Sequence, residues 1–76
     1  MNLKEAVAVA KQQVNDLFAP AIPQSVRLEQ FLYDDHLGVW SLTIGFALSD
    51  RAEEPRDFKV VRVSEADKSV LSIRDR

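Results

Sequence analysis

The chain has 76 residues, 46% hydrophobic and 29% charged, with a formal net charge of −2 and no cysteine. This length makes one domain, residues 1–76, which buries only about 60% of the surface its unfolded form exposes, so that a partner or a second copy would add needed buried area. Without cysteine there are no disulfides, no thiolate zinc sites and no cysteine nucleophiles. A non-specific nucleic-acid binder is ordinarily basic, because phosphate neutralisation supplies its affinity. Seven of the ten basic residues here, from Arg51 to Arg76, are interleaved with six acids, a pattern of solvated surface. No apolar run nears the roughly 18 residues of a membrane span. Glu5 and Lys11 interrupt any signal-peptide layout. The expectation is a cytoplasmic protein.

The first element is a helix. Asn2 can accept from the free N–H groups of the first turn, and Glu5, three residues on, can reach back in a capping box. Leu3, Val7, Ala10, Val14 and Leu17 follow at helical spacing, widened by Ala6 and Phe18, while Lys4, Lys11, Gln12, Asn15 and Asp16 face away. Pro20 ends the helix. The stripe spans barely two heptads, too few for a coiled coil, so it is expected to pack on a sheet.

A Pro-containing linker at 19–24 leads to the first strand, marked by Val26, Leu28, Phe31 and Tyr33. Its apolar parity changes between Leu28 and Phe31, which predicts a bulge near Gln30. Asp34, Asp35, His36, Leu37 and Gly38 form a turn, with Gly38 free to take positive φ. The stretch 39–49 carries the clearest pattern in the chain. Trp40, Leu42, Ile44, Phe46 and Leu48 alternate with the small residues Ser41, Thr43, Gly45 and Ala47, as in a half-buried central strand. A polar loop at 50–55 precedes a third strand with Phe58, Val60, Val61 and Val63. Residues 64–68 turn, and Val70, Leu71 and Ile73 mark a fourth strand. The order α-β-β-β-β with short turns predicts an α+β fold, an N-terminal helix packed on a four-stranded antiparallel meander sheet in two layers.

Few residues suggest chemistry. His36 beside Asp34 and Asp35 reads as a solvated turn, since a metal wants three or more convergent ligands. Glu53 and Glu54, near Asp50 and between Arg51 and Arg56, read as a solvated loop rather than a catalytic pair. Ser41 and Thr43 have no histidine or lysine at a recognisable spacing, and Gly38 and Gly45 make no phosphate loop. No catalytic residue, metal or cofactor is therefore expected. In the third strand, either Phe58 and Val60 or Val61 and Val63 lie on the outer face. Beside them, the small row of the second strand would let another surface approach closely. Val39, Thr43, Phe58 and Val60 are the expected partner-binding residues of this open face.

The segment Val63-Ser64-Glu65-Ala66-Asp67-Lys68-Ser69-Val70 resembles the closing hairpin of PepSY-like domains in its two valines and turn length. Ser64 stands where an Asp is usual, and Asp67-Lys68 replaces Thr-Gly. The leading helix and antiparallel sheet also resemble the cystatin-like architecture. GVWSLTIGF, DFKVVRV and VLSIRDR together resemble small uncharacterised bacterial proteins. The resemblance implies a small binding or inhibitory module rather than an enzyme.

The sequence thus predicts a non-catalytic protein–protein interaction module, an accessory, inhibitory or immunity-type subunit, self-associating as a homodimer through the open sheet face or docking by an edge strand. The alternative is a small-molecule binding domain with a cavity near Trp40 or Tyr33. A third reading is nucleic-acid binding through Arg56, Lys59, Arg62, Lys68, Arg74 and Arg76.

Overall fold

A computed structural model describes residues 1–48 and 57–76. Helix α1 (Leu3–Phe18) precedes strands β1 (Gln24–Asp34), β2 (Val39–Ala47), β3 (Asp57–Ser64) and β4 (Val70–Asp75). The strands form one antiparallel sheet in the order β1-β2-β3-β4, as the meander predicts, and α1 packs on one face. The expected loop at 50–55, with Asp50, Arg51, Glu53 and Glu54, and the adjacent Arg56, lie outside the described residues.

Asn2 caps α1 by accepting the Glu5 N–H at 2.8 Å. The Glu5 carboxylate pairs with Lys68 Nζ at 2.9 Å, tying the first turn of the helix to the β3–β4 hairpin, and it also feels the Asn2 backbone N–H of the cap. The buried line of α1 is Ala6, Ala10 and Val14, with Leu3, Val7, Val9 and Phe18 packed beside it. Leu17, expected in the stripe, is 46% exposed. The i, i+4 row from Ala6 through Phe18 sets the contact, and Leu17 lies about 100° away from Phe18 around the axis. The two alanines that open this row let the helix backbone approach the sheet closely.

Leu42, Ile44 and Phe46 of β2 meet α1, together with Val61 and Val63 of β3. Phe46 stacks obliquely on Phe18, ring centroids 5.0 Å apart. Register settles the parity of β3: Leu42 opposes Val61 and Trp40 opposes Val63, and directly opposed residues share a face. Val61 and Val63 therefore point to the helix, and Phe58 and Val60 to the open side. The strand β2 ends at Ala47, short of the expected 49, and Leu48 is exposed beyond it.

Strand β1 has 11 residues against 9 in β2, and the excess is absorbed by two irregularities. One lies between Gln24 and Arg27. The other places Glu29 as the extra residue between the pairs Leu28–Ile44 and Gln30–Thr43. This is the bulge that the parity change predicts. The turn after β1 is organised by Asp34, whose Oδ1 accepts from the N–H groups of His36 and Leu37 at 3.0 and 3.1 Å. Gly38 takes φ +63°, and its carbonyl accepts from Glu65 N–H, joining this turn to the next hairpin. In β4, Leu71 is the extra residue where the pairs Arg62–Ser72 and Val63–Val70 break step, and it is exposed rather than inward.

Candidate interaction surface

An α-helix is about 10 Å across and strands lie about 4.8 Å apart, so one helix covers roughly two strands. In this fold α1 sits mainly over β2 and β3. The helix-side faces of the two outer strands are left beside it. On β4 that margin is short and holds Val70 and Ile73, both half-buried against the core. On β1 it holds Leu28, Phe31 and Tyr33 by register with Ile44, Leu42 and Trp40. Leu28 reaches the core, but Phe31 and Tyr33 are exposed. The Tyr33 ring leans on Trp40 at 4.7 Å between centroids. Leu32, between them, points to the other side of the sheet and is exposed as well, as is Leu37 in the following turn.

The open face is arranged differently from expectation. Val39 and Thr43, expected to be accessible, are only 5% and 6% exposed, and Ala47 is buried too. These side chains form one row on β2 between β1 and β3, with Thr43 between Gln30 and Val60 by register. At Gly45 the neighbours are visible. A Cβ built there would lie 2.9 Å from Glu29 Oε1 and 3.1 Å from Phe58 Cε1. Glu29 in turn accepts from Arg27 Nε at 2.7 Å. Phe58 is half-buried, with the Arg76 guanidinium 3.9 Å above its ring, a cation–π contact. Val60, the fourth expected residue, is half-buried opposite Arg74. At Gly45 the gap that would admit another surface is thus filled from within the chain, and what remains accessible on this face includes Leu32 of β1 beside the partly exposed Phe58, Val60 and the arginines.

The six basic residues of the nucleic-acid reading are not gathered into one track. Arg62, Arg74 and Arg76 share the open face by register and alternation. Lys59 lies on the helix side and pairs with Asp75, and Lys68 pairs with Glu5. Arg56 is outside the described residues. Among those residues, no group of three or more His, Asp or Glu side chains converges as metal ligands, and Asp34 is committed to its own turn. There is also no pocket among them, beside Trp40 and Tyr33 included.

Near that end of the sheet a second cluster forms. Glu65 accepts from Trp40 Nε1 through Oε2 at 2.5 Å and from the Met1 ammonium through Oε1 at 2.9 Å. The ammonium first, then the indole N–H, hold the Glu65 carboxyl below its ordinary range. Asp67 is lowered by hydrogen bonds from Ser69, and Glu5 by Lys68.

Comparison with known proteins finds no protein family, no curated protein and no solved structure that matches this chain. The PepSY-like and cystatin-like resemblance therefore rests on the residues quoted above. No helix among the described residues is long and apolar enough to cross a membrane.

The edge strand expected from the sequence is not singled out there as β1. The signal was present, because Phe31, Leu32 and Tyr33 are three consecutive large apolar residues. A two-faced strand with a bulge cannot bury all three under one helix.

Proposed function

We propose that this chain is a non-catalytic protein–protein interaction module, an accessory, inhibitory or immunity-type subunit, that engages its partner through strand β1. The observation that carries this reading is the run of exposed apolar residues Phe31, Leu32 and Tyr33 on a sheet edge. An edge strand presents unpaired N–H and C=O groups that another strand can complete, and alternate side chains supply selectivity. The open face plays a supporting part, through Phe58 and Val60 beside Arg62, Arg74 and Arg76. Val39 and Thr43 contribute by shaping that face from beneath. A cytoplasmic setting accords with the lack of cysteine.

A photo-crosslinking residue placed at Leu32, compared with one at Gln12 on the exposed side of α1, tests the reading in cells. The expected result is a discrete protein adduct, to a second copy or to another protein, from position 32 and none from position 12. Equal or absent labelling at the two positions would contradict it.

A further inference from the structure

The two sheet edges are built differently. Edge β4 is six residues long, is broken by the irregularity at Leu71 and ends in Arg74 and Asp75. Short length, bulges and charges are the usual devices that keep an edge from pairing. Edge β1 carries its two register shifts and the Arg27–Glu29 pair in its first half, and its second half has a single charge, the terminal Asp34. From the Glu29 bulge to the turn, residues 30–34 pair with β2 without interruption. This regular stretch is five residues long and its midpoint is Leu32.

We infer that residues 30–34 pair antiparallel with the same residues of a second copy, about a two-fold axis at Leu32, joining two sheets into one of eight strands. The inference rests on the β1 reading above and names its occupant. Antiparallel pairing about a two-fold perpendicular to the sheet requires each residue i to oppose 64 − i, so that opposed residues share a face. Centring on Leu32 uses the whole regular stretch and no bulged residue. Leu32 then opposes Leu32 of the other copy on the open side. On the helix side Phe31 opposes Tyr33 in both directions, filling the margin that α1 leaves uncovered. At the ends Gln30 opposes Asp34, whose Oδ1 is used in its own turn and whose Oδ2 suits a carboxamide N–H donor of the glutamine. No like charges are opposed within the five pairs. A shift by two residues either way would bring Glu29 or the 35–38 turn into the ladder and leave part of the apolar run unpaired.

Size sets the strength. Phe31, Leu32 and Tyr33 are 52%, 66% and 40% exposed. With aromatic side chains of about 150–250 Å² each, this amounts to on the order of 300 Å² of apolar surface per copy. Stable interfaces bury at least about 1,200 Å² in total, so the dimer belongs to the weak, concentration-dependent class.

Sedimentation of the purified chain from micromolar to millimolar concentration tests the pairing, together with Leu32→Lys and Leu32→Cys. The expected result is a monomer–dimer equilibrium in the unsubstituted chain that Leu32→Lys weakens at least tenfold with an unchanged circular dichroism spectrum. Because the chain has no cysteine and opposed Cβ atoms lie about 4.5–5.5 Å apart, Leu32→Cys should form a disulfide dimer at least tenfold faster than Gln12→Cys under the same oxidant. A monomer throughout the range, a dimer indifferent to Leu32→Lys, or equal oxidation of the two cysteine variants would overturn the inference. A monomer that still gives the position-32 adduct to another protein would overturn self-pairing while leaving β1 as an interaction strand. If that adduct is also absent, both readings fall.

Discussion

Glu65 joins three parts of the chain that are distant in sequence: its own hairpin, Trp40 of β2 and the Met1 ammonium. Such a contact is worth most while the carboxylate is charged. A carboxyl whose folded pKa lies below its unfolded value adds stability above the unfolded value and loses it as pH falls through the folded one. Glu65 and Glu5, lowered from 4.5, and Asp67, lowered from 3.8, all act in this sense. The contribution of these three carboxylates should therefore be flat above about pH 5 and fall on acidification below 4.5. The lone tryptophan, Trp40, reports on it directly. Urea midpoints followed by Trp40 fluorescence should drop below pH 4.5, and Glu65→Gln should lower the neutral-pH midpoint and shrink that drop. A Gln variant with the acid dependence of the unsubstituted chain would show that Glu65 is not among its causes. Gly45 is a second residue whose identity is fixed by its neighbours. Gly45→Ala should cost about 1–3 kcal/mol through crowding against Glu29 and Phe58. Adding Glu29→Ala should recover part of the loss, because Glu29 holds the two closest atoms. Additive losses in the double variant would contradict this packing.

At the scale of elements, the helix–sheet contact depends on the small row Ala6, Ala10 and Val14 rather than on the full apolar stripe. Ala10→Leu should overpack this contact and destabilise by about 1–3 kcal/mol. Leu17→Ala, at an exposed position, should change stability by less than about 0.5 kcal/mol. Chemical denaturation of the two variants separates them, and equal effects would mean that the buried row is misassigned. Much of this level is legible from residues. The alternation from Trp40 to Phe46 specifies β2 and its inner face. The parity change between Leu28 and Phe31 locates the bulge to within a residue. The faces of β3 are not legible, because Phe58 and Val60 are as apolar as Val61 and Val63. The choice comes from register with β2, which local composition does not encode. The covering of Val39 and Thr43 is hidden for a related reason. Small side chains in a strand mark either a surface left open for a partner or a surface closed by long neighbours, and only the neighbours' reach decides between them.

At the scale of the molecule, one helix on four strands fixes where unsatisfied surface remains. The helix covers β2 and β3, β4 is short and ends in charged residues, and β1 is left with a free edge and three large apolar side chains. A domain of this size gains from covering such an edge, because its own core is small. In the associated state the edge of β1 is expected to be covered by residues 30–34 of a second copy. Amide hydrogen exchange measured across a concentration series tests this most directly. Backbone amides within residues 30–34 that face away from β2 should exchange more slowly as concentration rises, while those of β4 should not change. Exchange in β1 that is independent of concentration, or slowing confined to β4 or to the open-face residues Phe58 and Val60, would contradict it.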